Sequence, residues 1–217
     1  MTIYSNKEIF NTIYRKHKWL FGSGSGSTPF FNRLFIKFVN NFLKEHPDIK
    51  VVVDMGCGDY KIGRKLALRD RRYIGCDTSD FIIKKNKSKF SSANKKFIHI
   101  DAVTDKLPAG DLVILKDALQ HLCNRDVARV LSKIKDYRYV IIQNSIYSEN
   151  ISLISTNKDI QNGGFRPLDI TKPPFNTEYL LAIKYSNLFD VLRHIFLFQP
   201  IEKGIFVSKK HVLVPDQ

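Results

Sequence analysis

Carboxylates and glycines cluster where short apolar runs of the sequence end. The run VVV at 51–53 is followed by DMGCGD at 54–59, a second run ends in Asp77, and a third ends in Asp101. Glycines let the backbone turn tightly and approach a ligand closely, and carboxylates accept hydrogen bonds from hydroxyl or amino groups. This pattern predicts a site for a polar small molecule at the ends of several strands.

The glycine pattern differs from the dinucleotide-binding fingerprint at two positions. Lys61 stands where the third glycine is expected, and the acid Asp54 precedes the first glycine, where those folds usually keep an apolar residue. A helix that begins after Gly58 would still offer unpaired amide N–H groups to an anion. Asp77, at the end of the next strand, suits the two hydroxyls of a ribose. The pattern therefore argues against a dinucleotide-binding fold.

The apolar periodicity predicts alternating strands and helices around these residues. Five short, mostly aliphatic runs are typical of strands buried on both faces: KVVVDMG, RYIGCD, KFIHID, DLVILKD and YVIIQN. The stretches between them are predicted as helices, with KIGRKLALRD (61–70) and NRDVARVLSKIKDY (124–137) the most clearly amphipathic. Alternation of this kind indicates an α/β fold with a doubly wound parallel sheet.

Further elements are predicted on either side of this core. EIFNTIYRKHKWLF (8–21) and PFFNRLFIKFVNNFLKEH (29–46) have helical periodicity, so two helices precede the first strand. Near the C-terminus, the apolar runs LFDVLRHIFLF (188–198) and KGIFVSK (203–209) are separated by few residues. We predict that they pair as an antiparallel hairpin through a turn at 199–200.

The strand ends, taken in order, resemble the motifs of class I S-adenosylmethionine-dependent methyltransferases. The matching residues lie within 50–144: Asp-x-Gly-x-Gly at 54–58, Asp77, Asp101 with Ala102, and DLVILKDALQHL at 111–122. The resemblance implies a Rossmann-like, doubly wound, mostly parallel seven-stranded sheet with an antiparallel C-terminal hairpin. It also implies S-adenosyl-L-methionine as cofactor, S-adenosyl-L-homocysteine as product, and a set of cofactor-binding residues: Trp19, Gly22, Ser23, Asp54, Gly56, Cys57, Gly58, Asp77, Thr78, Asp101, Ala102 and Lys116.

A narrower resemblance links the chain to a group of small bacterial class I methyltransferases. Its motifs are Trp19 with the Gly/Ser stretch at 22–29, the turn at 54–59, the segment at 117–122, and GGFRPLDITKPPF at 163–175. The stretch GSGSGS at 22–27 has the composition of a flexible linker, but only one short predicted helix lies before it. We therefore interpret it as a lid or anion-binding loop, with an ordinary flexible loop as the alternative. Substrate contacts are expected at Ser25, Ser27, Asn144 and Arg166.

His121 is the candidate general base. Methyl transfer to a hydroxyl requires removal of a proton, and His121 is the histidine that lies in the segment expected to face the substrate. If that segment starts a helix, Asp117 lies on the same face as His121, and both are assigned to catalysis. The alternative is a histidine packed beneath the cofactor loop. Arg166 similarly has two interpretations, a ligand for an acceptor phosphate or carboxylate, or a structural salt bridge.

The net charge of +14 favours an anionic partner but does not identify it. We expect O-methylation of a small molecule or glycan, supported by the short chain and by His121. Methylation of nucleic acid or protein is the alternative, although the fourth strand lacks the Asn/Asp-Pro-Pro-aromatic segment of enzymes that methylate a flipped base. No Pro-Cys pair offers the nucleophile of cytosine-C5 enzymes. A non-catalytic module that binds S-adenosylmethionine is a third possibility.

Composition supplies the remaining expectations. The 217 residues suit one methyltransferase domain, with N-terminal helices and lid at 1–48, a cofactor-binding core at 49–144, and an acceptor loop and hairpin at 145–217. Three widely spaced cysteines indicate neither a disulfide scaffold nor a zinc site, and no required metal is expected. With no signal sequence or transmembrane segment recognised, we expect a cytoplasmic protein.

Overall fold

A computed structural model describes residues 5–19, 23–24, 27–148, 157–186 and 201–208. These residues form four α-helices and a seven-stranded sheet. The helices are α1 (Asn6–Arg15), α2 (Arg33–Glu45), α3 (Asp80–Phe90) and α4 (Asn124–Ile134). The strands are β1 (Val51–Met55), β2 (Arg72–Asp77), β3 (Lys95–His99), β4 (Leu112–Lys116), β5 (Tyr139–Tyr147), β6 (Leu180–Tyr185) and β7 (Ile201–Val207).

The sheet has the strand order β3-β2-β1-β4-β5-β7-β6. Strands β1 to β5 are parallel, and β7 runs antiparallel between β5 and β6. The predicted α/β class, the mostly parallel seven-stranded sheet and the antiparallel C-terminal strands are therefore confirmed. Strand order reverses between β1 and β4, and in open α/β sheets this is where ligands bind, at the carboxyl ends of the strands.

Two apolar layers cover the faces of the sheet. On one face, α1 and α4 contribute buried side chains such as Phe10, Ile13 and Val127 to a cluster with β1, β4 and β5. On the other face, Phe35 and Val39 of α2 pack into a second cluster. The two N-terminal helices are thus as predicted, and they lie on opposite faces. Within the described residues, no helix combines the length and apolar character needed to cross a membrane.

The partner of β7 differs from the prediction. The last strand pairs with Leu180–Tyr185, whereas we predicted pairing with 188–198, a segment that lies outside the described residues. β6 is an edge strand, and most of its side chains are partly or fully exposed. Its apolar run spans only 180–183, which is shorter than the run at 188–198. The greater apolar density of 188–198 made that segment the more obvious candidate.

The helix predicted over 61–70 is also wrong. The structure has only a short 3₁₀ turn at Gly63–Lys65. Tyr60 and Arg69 adopt left-handed φ values of 61° and 49°, which interrupt a right-handed helix. The buried ring of Tyr60 packs against Phe97 with ring centroids 5.0 Å apart. Consequently, no long helix begins directly after Gly58. The prediction of an anion site at the N-terminus of such a helix is therefore wrong.

Candidate active site

A cavity of about 410 Å³ opens at the carboxyl ends of the central strands, at the reversal of strand order. Its wall combines the strand ends with α1, the N-terminal Gly/Ser segment and the loop that contains Phe165. Many predicted site residues line it: Trp19, Ser23, Ser27, Asp54, Gly56, Cys57, Gly58, Asp77, Thr78, Asp101, Ala102, Lys116, Asp117 and His121. Gly22 and Ser25 lie outside the described residues. Asn144 and Arg166 are absent from the wall of this cavity.

The turn after β1 requires its two glycines. Gly56 and Gly58 have φ values of 85° and 51°, a region that favours glycine. A Cβ atom on Gly56 would lie 2.9 Å from that of Ala118, and one on Gly58 would lie 2.7 Å from Ser23 Oγ. The backbone therefore passes close to the segments on either side and forms a narrow floor for a ligand.

Two buried carboxylates flank this turn. Asp77 accepts hydrogen bonds from the backbone N–H groups of Gly58 at 3.0 Å and Ser79 at 2.9 Å. Burial raises the pKa of Asp77 to about 6, although these N–H donors and the Tyr14 hydroxyl act in the opposite direction. Asp54 accepts a 2.5 Å hydrogen bond from the Tyr73 hydroxyl, and burial raises its pKa to about 6 as well. Each carboxylate is held in one orientation at the cavity wall.

The end of β3 contributes a third carboxylate and an apolar surface. Asp101 accepts hydrogen bonds from the Asn6 side chain at 3.2 Å and from Val103 N at 2.9 Å. Ile100, Ala102 and Val103 line the same part of the cavity. An acceptor oxygen beside aliphatic side chains suits a flat heterocycle that carries an amino group.

The N-terminal segment forms the roof of the cavity. The Trp19 ring lies 6.0 Å from that of Phe10 and 5.5 Å from that of Tyr14, both on α1. Ser23 Oγ accepts a hydrogen bond from Asp59 N at 2.9 Å. The described part of the Gly/Ser stretch is thus bonded to the glycine turn.

His121 lies in the cavity wall with one tautomer favoured. Its Nδ1 is 2.7 Å from the carbonyl oxygen of Gly164, which can only accept, so Nδ1 carries the proton and Nε2 keeps its lone pair. Burial lowers the pKa of His121 below 6.5 and favours the neutral ring. The ring is flanked by Trp19 at 4.8 Å and Phe165 at 5.9 Å between centroids.

Asp117 does not lie on a helix with His121. It has a φ of 53° and precedes a short 3₁₀ turn at Leu119–His121, so the predicted helical spacing is wrong. Its carboxylate instead accepts from Lys116 Nζ at 2.6 Å and Lys203 Nζ at 3.0 Å. These ammonium groups overcome the effect of burial and hold the pKa of Asp117 far below its usual value. Asp117 is therefore bonded to two lysines and is a poor proton acceptor.

Arg166 and Asn144 are buried, and neither of them lines the cavity. Arg166 is 5% exposed, and its guanidinium donates to Asn124 Oδ1 at 2.8 Å and to the Leu119 carbonyl at 3.4 Å. This favours the loop-anchoring interpretation, although no acid pairs with it in these contacts. Asn144 is fully buried in β5, and its side-chain amide has no hydrogen-bond partner among the described residues.

The central part of the chain is similar in sequence to known methyltransferases. Residues 52–137 match a family model described as a methyltransferase domain. An uncharacterized methyltransferase of Mycobacterium tuberculosis, Rv0089, is 32% identical over 85 residues, which covers 38% of this chain. The aligned region spans 42% of that relative's length. The part of the chain at 52–137 therefore matches a methyltransferase domain in sequence.

Solved structures support the fold of this methyltransferase domain over most of the chain. Magnesium protoporphyrin IX methyltransferase from Synechocystis PCC 6803 with bound S-adenosylhomocysteine has a TM-score of 0.59 at 15% identity, covering 94% of this chain and 98% of that one. The N-terminal domain of EvdMO1, crystallised in the presence of S-adenosylhomocysteine and D-fucose, has a TM-score of 0.54 at 11% identity, covering 80% and 81%. These likenesses show that the chain has the same fold as these structures.

Sequence reasoning missed several residues of this cavity: Tyr14, Gln120, Ser145, Phe165 and Lys203. Gln120 and Phe165 lie inside segments that the sequence analysis singled out, at 117–122 and 163–175, but only Asp117, His121 and Arg166 were chosen from those segments. Tyr14, Ser145 and Lys203 belong to no local motif with a recognisable chemical spacing. Lys203 in particular lies in a strand near the C-terminus, where a lysine is usually solvated. The pairing of Lys203 with Ser145 across β5 and β7 brings it to the cavity, and only strand register reveals this. In the described ranges, no group of three or more His, Cys, Asp or Glu side chains is arranged to hold a metal ion.

Proposed function

We propose that this chain transfers a methyl group from S-adenosylmethionine to a hydroxyl of a small molecule or glycan. The observation that carries this proposal is the orientation of His121, whose Nδ1–H is directed to the Gly164 carbonyl while its ring lines the cavity. A neutral imidazole with an available Nε2 lone pair is suited to remove a hydroxyl proton.

The donors and acceptors around the cavity fit the cofactor. Asp77 would accept hydrogen bonds from the ribose hydroxyls, and Asp101 with Ala102 would contact the adenine. The turn at Gly56 and Gly58 would pass beside the methionine part, with Asp54 near its ammonium group. A side chain at either glycine would meet a neighbouring segment, which supports a role for this turn in close backbone approach. Thr78, Cys57 and Lys116 complete the proposed cofactor wall.

The chemistry then needs a positioned acceptor and a base. When bound, the cofactor supplies an electrophilic methyl group on a sulfonium. His121 Nε2 would accept the proton that the acceptor hydroxyl loses when it is methylated. The aromatic rings of Trp19 and Phe165 pack against the imidazole and help to hold it in this orientation. Positioning of this kind supplies much of the rate gain in a displacement reaction.

The roofed cavity favours a small acceptor over a nucleic acid or protein. Phe10, Tyr14 and Trp19 cover the cavity from the N-terminal side, so a flipped base would have to displace this cluster. Relatives of the same fold include a mitomycin 7-O-methyltransferase, with a TM-score of 0.54 at 10% identity and coverage of 81% of this chain and 54% of that one. An oxygen acceptor is consistent with that likeness.

The proposal is tested by release of S-adenosylhomocysteine from S-adenosylmethionine in the presence of a panel of hydroxylated small molecules and sugars. Wild-type protein is expected to turn over at least one member of the panel and to leave oligonucleotides unmethylated. Transfer of the methyl group to an oligonucleotide, with none to any small molecule, would contradict the proposed acceptor class.

A further inference from the structure

One end of the cavity holds two buried ammonium groups around one carboxylate. Lys116 and Lys203 contact Asp117 at 2.6 Å and 3.0 Å, and the three side chains are 7%, 9% and 10% exposed in the order Lys116, Lys203 and Asp117. Asp54 acts on Lys116 from the cofactor side and helps to keep that lysine charged. Lys203 shares its carboxylate partner with Lys116. Lys203 is therefore a buried ammonium group at the cavity wall, where it can act as a charge-assisted donor to an oxyanion that enters the cavity.

Three neighbouring side chains at this end of the cavity carry hydrogen-bond donors: Lys203, Ser145 and Gln120. Lys203 Nζ donates to Asp117 Oδ1 and to Ser145 Oγ, each at 3.0 Å, so one of its three N–H groups has no acceptor among the described residues. Ser145 Oγ accepts from Lys203 and can direct its own O–H into the cavity. Gln120 Oε1 accepts from Ser145 N at 2.7 Å, which fixes the amide and leaves its Nε2 as a donor. All three residues line the cavity.

The location of these donors separates them from the proposed cofactor wall. Lys203 lies on β7 and Ser145 on β5, on the opposite side of β4 from Asp54 and Asp77 in the strand order. His121 lines the same cavity as Lys203, Ser145 and Gln120. A ligand group at Lys203 would therefore lie in the cavity that the candidate base faces and away from the adenine end.

We propose that Lys203, Ser145 and Gln120 bind an oxyanion, a carboxylate or a phosphate, that is part of the methyl acceptor. The proposal rests on the proposed function and names the substrate class: a hydroxylated acid or phosphate ester with its hydroxyl facing His121. Charge-assisted hydrogen bonds to an oxyanion are about twice as strong as neutral ones, and a lysine supplies them without a fixed planar geometry.

The test measures binding of matched probes by calorimetry to protein saturated with S-adenosylhomocysteine. Benzoate is compared with the neutral, similarly shaped benzamide, and phenyl phosphate with benzyl alcohol, at constant ionic strength. The aromatic ring suits the side chains of Trp19 and Phe165. Wild-type protein is expected to bind at least one anion about tenfold more tightly than its neutral partner. Preference for benzoate would assign a carboxylate, and preference for phenyl phosphate a phosphate.

Single-residue variants test whether the preference for the anionic probe depends on the proposed residues. Lys203→Met is expected to reduce the preference for the anion to less than about twofold, and Ser145→Ala, which keeps every charge, to reduce it partly. Lys135→Met is the matched control, because Lys135 is exposed at the end of α4 and its loss changes net charge equally. Equal affinity for the paired probes, no binding of either anion, or an unchanged preference in both site variants would overturn the proposal. Failure to bind S-adenosylhomocysteine would instead overturn the proposed function.

Discussion

Ser23 Oγ accepts a hydrogen bond from the backbone N–H of Asp59 at 2.9 Å, which ties the N-terminal Gly/Ser segment to the glycine turn after β1. Trp19, which precedes that segment, packs against His121 with ring centroids 4.8 Å apart. Trp19 and Ser23 therefore contact two different parts of the cavity wall. This arrangement supports the lid interpretation over that of a spacer between folded units.

The contact between Ser23 and the glycine turn leads to a prediction for Gly58→Ala. The new Cβ would lie 2.7 Å from Ser23 Oγ, at a residue whose φ is 51°, so the variant is expected to displace the loop and weaken binding of S-adenosylhomocysteine by about tenfold or more. Adding Ser23→Gly should restore part of the affinity by removing the steric conflict. Trp19, the single tryptophan, provides a fluorescence signal for loop position.

Recovery of the affinity in the double variant is expected to be incomplete, because alanine at position 58 is still strained by its left-handed backbone. One outcome would contradict this account. If Gly58→Ala leaves both the affinity and the Trp19 emission unchanged, the loop does not close on the glycine turn in solution. Gly164→Ala is a useful comparison, because Gly164 has no positive φ and its added Cβ would lie 3.1 Å from the Gln161 carbonyl, outside the glycine turn.

His121→Gln is expected to lower the rate of methyl transfer by about 10²–10⁴ while leaving the affinity for S-adenosylhomocysteine within about twofold of wild type. Glutamine keeps a polar side chain of similar reach but cannot accept the proton. The measurement is single-turnover transfer to an acceptor found in the panel, alongside calorimetry. Phe165→Leu is the matched control, since it alters the contact with the imidazole without removing the base.

The pH dependence of this rate gives a second check on His121. Its pKa lies below 6.5, so the neutral, proton-accepting form prevails at pH 7 and the rate should fall only as the pH drops below 6.5. The acidic limb should disappear in the residual activity of His121→Gln. A limb that persists in the variant would assign the titration to another group.

Cofactor affinity should itself depend on pH through Asp77. Its pKa is about 6 in the free protein, and hydroxyl donors favour the ionised carboxylate, so affinity is complete above pH 6 and is lost as the pH falls through about 6. The expected loss approaches about tenfold per pH unit on the acidic side. Because Asp54 has a similar pKa, Asp77→Asn discriminates between them: a pH profile that survives in this variant belongs to Asp54.

Arg166→Met is expected to reduce stability and to leave acceptor affinity little changed. The buried guanidinium bonds to Asn124 and to the Leu119 carbonyl, and loss of these contacts costs about 1–3 kcal/mol. For a chain of this size the corresponding fall in Tm is roughly 3–10 °C, measurable by calorimetry. Arg129→Met, at an exposed position of α4, should shift Tm by less than about 2 °C. A selective loss of acceptor affinity with normal Tm would restore Arg166 to the binding site.

The sequence predicted the central strands because their burial leaves a simple signal. β1, β4 and β5 are buried along nearly their whole length, and such strands read as continuous apolar runs. The residues that end these strands could therefore be assigned to one edge of the sheet. The seven-stranded, mostly parallel architecture was accessible for the same reason.

Local features that depend on backbone conformation or on distant contacts were not predictable in this way. The pattern at 61–70 has helical periodicity, but left-handed residues at Tyr60 and Arg69 and packing of Tyr60 on β2 and β3 prevent the helix. The prediction that Asp117 and His121 share one face of a helix was wrong for a similar reason, because a φ of 53° at Asp117 turns the chain. Lys203 reaches Asp117 only through the pairing of β5 with β7, which no local motif encodes.

The most direct measurement is a calorimetric titration of the protein with S-adenosylhomocysteine, at pH 7.5 and beside two variants. Wild type should bind with a Kd in the micromolar range, Asp77→Ala should lose binding by about a hundredfold, and Asp70→Ala, at an exposed position outside the cavity, should bind as wild type does. Equal binding by Asp77→Ala and wild type, or no binding by a folded wild-type protein, would contradict the assignment of this cavity to the cofactor.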